Sequence, residues 1–244
     1  MAPAIRFRDA VVLAGRFPLL AGIDFTVAEG EVVLLRGPNG AGKTSLLRAA
    51  AGLVPIASGE AVVLGFDLQV DRREVRQHVG LLGHTSYLYD ELTVADNLRF
   101  AVRAARGPEA AIGPALHRLG LDERLSKVAV ARLSAGQRRR VAIAALLARG
   151  PRLWLLDEPH AGLDEETRDV LDEIVGEAKA SGSTVVLASH ELDRAARIAD
   201  RVVAVAGGRI VEPAPTTAEV GAPGPDGPGV ETAAGAGMAV SRAV

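Results

Sequence analysis

The run Gly37-Pro38-Asn39-Gly40-Ala41-Gly42-Lys43-Thr44 has the residue types and spacing to hold a phosphate chain. It fits G-x-x-x-x-G-K-[ST], the P-loop pattern. Glycines there let backbone N–H groups approach phosphate oxygens, and a following helix N-terminus adds partial positive charge. Lys43 would reach the β- and γ-phosphates, Thr44 would offer its hydroxyl to Mg²⁺, and Ser45 is grouped with them as a nucleotide contact. A second candidate is Asp157-Glu158, which closes the apolar run Leu153-Trp154-Leu155-Leu156. Acids at the carboxyl end of a parallel strand face the ligand crevice of an α/β sheet. Asp157 would hold Mg²⁺ directly or through water, and Glu158 would act as general base on the attacking water. Together these residues point to binding and hydrolysis of a nucleoside triphosphate with Mg²⁺.

Such chemistry needs a strand before the loop and a helix after it. Glu31 to Arg36 reads as the strand and Thr44 to Ala51 as the first turns of the helix. Upstream, Ile5 to Leu13 and Leu19 to Val27 read as strands, with Ala28-Glu29-Gly30 as a turn. Pro55 to Gly59 is a loop, Ala61 to Leu64 a strand, Arg72 to His78 a short polar helix and Val79 to Leu82 a buried strand. From about Ser86 to Gly150 the pattern turns helical. Thr93 with Asp96 marks a helix start, Gly107-Pro108 a break, and Glu109 to Leu119 a further helix stopped by Gly120. Beyond it, strands 153–156 and 184–188 alternate with helices 165–180 and 191–199, and Val202 to Val205 pairs with Arg209 to Val211. Strand–helix alternation predicts an α/β fold with a largely parallel sheet covered on both faces. The Pro-, Gly- and Ala-rich segment 213–244 has too few large apolar residues to fold and is expected to be a disordered tail.

Composition sets limits on function. The 244 residues are 48% hydrophobic and 24% charged, ordinary for a globular protein with a sizeable core. A net charge of −2 gives no electrostatic footprint for nucleic acid. With no cysteine, disulfides and thiolate metal sites are excluded, which suits a reducing cytoplasm. The longest apolar run, Val141 to Ala148, is far short of a bilayer span, and the N-terminus lacks the apolar stretch of a signal peptide. Work at a membrane would need another chain to supply the span.

Leu133-Ser134-Ala135-Gly136-Gln137 discriminates further. Locally, Ser134 and Gln137 form an S-x-x-Q capping box opening the helix Arg138 to Ala148. The stretch also resembles the LSGGQ signature of ATP-binding-cassette (ABC) ATPases, with Ala135 in place of the first glycine. The order of motifs is similar to that family: P-loop, helical insert, signature, acid-ended strand, then Ala161-Gly162-Leu163-Asp164 and His190. The resemblance covers about residues 4–212. It implies a P-loop NTPase with a RecA-like parallel core, an N-terminal antiparallel β subdomain and a helical insert at about 86–150. It implies that 161–164 is the D-loop, with Asp164 near nucleotide, and that His190 contacts the γ-phosphate. It also implies that Ser134 to Gln137 cap ATP held by a second cassette, so the chain works as a homodimer or heterodimer.

Two positions depart from the family pattern. His84 stands where the family usually has a glutamine near Mg²⁺ and the attacking water. An imidazole is a poor Mg²⁺ ligand, so action through water or on the partner side is expected. The family's adenine-stacking aromatic is missing near Ala14, and Phe17 or Arg16 would cover the ring instead. Gly83-His84 with the LSAGQ signature and basic Arg138-Arg139-Arg140 resembles the ATP-binding subunits of cytochrome c biogenesis haem exporters, although Thr85 replaces their usual glutamine. That resemblance implies ATP-driven export of haem, or of a haem-delivery factor, through separate polytopic membrane subunits, with this chain peripheral on the cytoplasmic side of the cell membrane. The membrane partner would dock beside the His84 loop, where Tyr87-Leu88-Tyr89 are clustered. The alternatives are another ABC exporter, of drug, lipid or polysaccharide, or a soluble assembly-type ABC ATPase. Translation and DNA-maintenance types need two cassettes or long coiled coil. Neither fits a spacing of roughly 90 residues from Lys43 to Ser134 without heptads.

Overall fold

The computed structural model describes residues 3–211, and the segment 213–244, expected as a tail, lies outside them. Two strands, β1 (Pro3–Ala14) and β2 (Phe17–Ala28), form a long hairpin. They join β4 (Ser58–Val63) and β5 (Phe66–Asp67) in an antiparallel sheet ordered β2-β1-β4-β5.

The second sheet carries the loop and the acids. It contains β3 (Val32–Arg36), β6 (Val79–Leu82), β7 (Leu153–Asp157), β8 (Thr184–Ala188), β9 (Arg201–Ala206) and β10 (Arg209–Val211). Its order is β10-β9-β3-β8-β7-β6, parallel except at the β10 edge. Strands buried on both faces read as unbroken apolar runs, and every residue of β7 and β8 is buried. Alternate residues serve opposite cores. Val33, Leu35, Leu155 and Val186 face α1 (Lys43–Ala50) and the antiparallel sheet, whereas Leu34, Leu156 and Leu187 face the other helices. Truncating a fully buried leucine such as Leu155 to alanine would cost about 2–5 kcal/mol, since β7 is held on both sides and cannot collapse into the void.

The helical layer is built from α2 (Val94–Ala104), α3 (Ile112–Arg118), α4 (Glu123–Ser126), α5 (Ala135–Arg149), α6 (Glu165–Ala180) and α7 (Leu192–Ile198). Helix α2 starts where Thr93 Oγ1 accepts the Asp96 amide at 3.1 Å. The Ser134–Gln137 capping box is present, so α5 begins at Ala135 rather than Arg138. It ends at Gly150, whose φ of 54° is left-handed. Within the stretch Arg72 to His78 the expected short helix is a 3-10 helix at Glu74–Gln77, flanked by turn residues. The expected strand at 61–64 stops at Val63, because Leu64 turns left-handed (φ 51°) to make the β4–β5 bend.

Candidate active site

The P-loop leaves β3, bends through glycines and enters α1. At Gly37 a Cβ would lie 2.1 Å from the Val205 carbonyl oxygen, so only glycine lets the loop pass β9. Gly42 has φ 109°, which starts α1 without a side-chain cap and leaves its first N–H groups free for an anion. Lys43 is buried, and its ammonium donates to the carbonyls of Gly37 (2.7 Å) and Pro38 (3.2 Å).

Strand β7 delivers the two acids differently. Asp157 ends the regular strand, and its Oδ2 accepts the Thr44 hydroxyl at 2.8 Å. A hydroxyl and a carboxylate side by side are hard oxygen donors of the kind Mg²⁺ takes. No group of three or more His, Cys, Asp or Glu able to hold a metal occurs among the described residues. The pair is a partial donor set, to which phosphate and water would add the remaining ligands of such an ion. Glu158 follows with φ 47°, a conformation that a side-chain-bearing residue adopts at a cost of about 1–3 kcal/mol. It is held there partly by donating its N–H to the Ala188 carbonyl at 2.8 Å. Its Oε2 accepts the His190 backbone N–H at 3.0 Å, and its Oε1 lies 3.5 Å from His190 Nε2. His190 Nε2 is also 2.8 Å from Asn39 Oδ1. An amide oxygen only accepts, so Nε2 carries the proton in this pairing. Asn39, His190 and Glu158 thus form one chain of contacts from the P-loop to the acid.

These residues open into one cavity of about 530 Å³, lined by Asn39 to Ser45, His84, Asp157, Glu158 and His190. His84 is exposed there, at the end of β6. Ser134, Ala135, Gly136 and Gln137 do not line the cavity. Ser134 and Ala135 are exposed at the head of α5, with Ser134 Oγ accepting from the Gln137 amide at 3.2 Å. Asp164 is likewise outside the cavity and caps α6, accepting the Thr167 amide at 2.9 Å; hydrogen bonding to the Thr167 side chain first, and to its backbone N–H second, holds the carboxyl below the ordinary range. A Cβ at Gly136 would lie 3.4 Å from the Gly162 carbonyl oxygen of the same chain.

Three features escaped the sequence reading. The cavity wall includes Pro18, Leu19, Gly207 and Gly208, because the Gly208 amide donates to the Ala41 carbonyl at 2.8 Å and seats the β9–β10 turn on the P-loop. Buried His160 lies 2.8 Å from Asp172, which Arg194 of α7 also grips at 2.6 Å. Arg139 points inward beneath the acids. Phe17, one of the two residues expected to cover adenine, is exposed on the hairpin next to the cavity residues Pro18 and Leu19.

A model of the ABC transporter family matches residues 20–161. The glutamine transport ATP-binding protein GlnQ of Escherichia coli is 36% identical over 216 residues, covering 85% of this chain and 90% of that protein. The cytochrome c biogenesis ATP-binding export protein CcmA of Bordetella bronchiseptica is 41% identical over 194 residues, covering 78% and 84%. Among solved structures, an ATP-binding subunit of an ABC transporter superposes with a TM-score of 0.79 at 31% identity, covering 85% of this chain and 88% of that one.

Proposed function

The chain belongs to the ABC transporter family as an ATP-binding, ATP-hydrolysing subunit, and from that premise we propose that its own residues build half of each hydrolytic site. One observation carries this reading: Lys43, Thr44, Asp157, Glu158, His84 and His190 share a cavity that Ser134 to Gln137 do not line. Lys43 neutralises the β- and γ-phosphates, helped by the N–H groups opening α1. Thr44 and Asp157 would hold Mg²⁺. That ion, when bound, offsets the charge that gathers on the transferred phosphoryl group. Glu158 takes a proton from the attacking water as the water oxygen bonds to the γ-phosphorus and the bond to ADP breaks. His190, joined to both Asn39 and Glu158, orients the acid and donates toward the γ-phosphate. His84 acts on the water side of the cavity.

The head of α5, with Ser134 and Ala135 exposed and Gly136 and Gln137 half-buried, caps the nucleotide held by a second cassette, and Asp164 serves the same nucleotide. A second copy of this chain or a similar chain supplies the matching half. No helix of the described residues is long and apolar enough to cross a membrane, which supports separate membrane subunits. Their docking place is the groove beside the His84 loop, where Tyr89 meets Phe100 edge-on at 4.9 Å and both rings are exposed. The Gly83-His84 and LSAGQ features, with the likeness to CcmA, favour export serving cytochrome c biogenesis, of haem or a haem-delivery factor, from the cytoplasmic side of the cell membrane. The likeness to GlnQ over more of the chain supports amino-acid transport as the competing cargo. Isolation of the native complex and identification of its membrane subunit decides between them.

The catalytic assignment is tested by Glu158→Gln. Turnover should fall by about 100-fold or more while ATP binding persists and the ATP-bound dimer accumulates. Normal turnover would remove Glu158 from the role of base.

A further inference from the structure

The head of α5 carries three arginines with separate partners. Arg138 lies near the surface, 2.7 Å from Asp90, and Arg140 reaches the Leu119 carbonyl at 3.5 Å. Arg139 turns inward. Its Nη1 donates to the Gly83 carbonyl at 2.6 Å and its Nε to Pro159 at 3.3 Å. Its Nη2 donates to the backbone carbonyls of Asp157 at 3.3 Å and of Glu158 at 2.5 Å. One planar fork therefore spans the ends of the neighbouring parallel strands β6 and β7. Burial works against the charge on Arg139 and lowers its hold on the proton, while the Asp157 and Glu158 carboxylates push the other way.

The carbonyls it grips are those of the turn that presents the proposed base. Glu158 sits there with left-handed backbone, a state that persists only where the surroundings over-determine it. The Ala188 contact fixes its N–H side and Arg139 fixes its C=O side. Gly83, held by the other edge of the fork, directly precedes His84. Ser134 to Gln137 lie within the turn just before Arg139 on the same helix.

We propose that Arg139 is a positioning residue for hydrolysis, fixing the Glu158 backbone and the Gly83–His84 turn to the head of α5. The proposal rests on the assignment of Glu158 as base. Its consequence is specific: the surface that meets the second cassette's nucleotide is tied to this chain's own acid. A nucleotide arriving at Ser134 to Gln137 is then felt at Glu158 through a single side chain. Lysine cannot replace the fork, because its donors radiate from one point and do not reach carbonyls on two strands.

The test is a kinetic cycle on the full chain assembled with its partner subunits. Arg139→Gln should lower kcat by about 10-fold or more, with KM for ATP and nucleotide Kd within about twofold of the parent. Arg139→Lys should keep the same split with a kcat still reduced about threefold or more, and it carries the test if the glutamine variant does not fold. Arg138→Gln should stay within about twofold in both quantities. In a Glu158→Gln background, adding Arg139→Gln should reduce residual single-turnover hydrolysis by less than about twofold, because both changes remove one function. Unchanged kcat, equal loss of nucleotide binding and turnover, or losses that multiply in the double variant would each overturn the proposal. Normal turnover in Glu158→Gln alone would instead overturn the assignment of the base on which it stands.

Discussion

Two hollows flank the loop that follows β6, and they are opposite in character. On one side, His84 opens into a cavity of about 530 Å³ walled by backbone amides, Lys43, Asp157 and Glu158. On the other, Ser86 to Tyr89 line a groove of about 320 Å³ with Phe100, Ala101, Ala142, Ala145 and Leu146. The first is made for charge, since preorganised N–H groups and an ammonium face phosphate. The second has small, aliphatic and aromatic side chains beside the polar Arg76, Gln77, Asn97 and Arg149, a mixed wall that suits an inserted apolar anchor with a polar rim. Asn97 braces the groove. Buried in α2, it accepts the Tyr89 amide at 2.8 Å and donates to the Tyr89 carbonyl at 3.0 Å, which latches the aromatic ledge to the insert.

This contrast can be broken from either end. The largest effect is expected from Lys43→Ala, which should weaken ATP binding by about 100-fold or more, close to 3 kcal/mol, without disturbing partner capture. Nucleotide titration and co-purification check the two halves of that statement. Phe100→Ser should do the reverse, weakening the membrane partner by about tenfold while ATP affinity stays within about twofold. Parallel loss of both functions in either variant would merge the two hollows into one unit. The smallest effect concerns the network behind the acids. Burial would raise the Asp172 carboxyl, but hydrogen bonds and charge from His160 and Arg194 outweigh it and hold the group below its ordinary 3.8. A depressed acid stabilises above its unfolded pKa, and that stability is lost as pH falls through the folded value. Asp172→Asn should therefore lower Tm by about 2–4 °C at neutral pH, and the deficit should begin to shrink as pH falls below about 4 and vanish only below the depressed folded value. A deficit independent of pH would assign Asp172 a packing role alone.

Much of this was legible in the sequence, for reasons that differ by element. Strands β3, β7 and β8 stand out because a doubly covered parallel strand must be apolar throughout, and the P-loop because its residues are contiguous. The strand β5, Phe66–Asp67, is too short to carry a period, and α4 is a single turn capped by Asp122. The β9–β10 turn reads as Gly207-Gly208 punctuation; only the long-range Gly208–Ala41 contact makes it a cavity wall. Arg139 is hidden for a different reason. In the run Arg138-Arg139-Arg140 a basic residue at a helix start reads as a solvated face, and its inward turn depends on carbonyls of β6 and β7 that the sequence does not bring together. The S-x-x-Q capping box was legible locally, and the fold agrees with the expectation from the resemblance in leaving Ser134 outside the chain's own cavity.

That separation is the central claim, and Ser134→Arg tests it most directly. ATP affinity of the single chain and steady-state turnover of the assembled protein are measured on the same variant. The account predicts that affinity stays within about twofold while turnover falls by about 100-fold or more, because the bulky cation blocks only the second cassette's nucleotide. Turnover that survives the substitution, or affinity that falls along with it, would contradict a site shared between two cassettes.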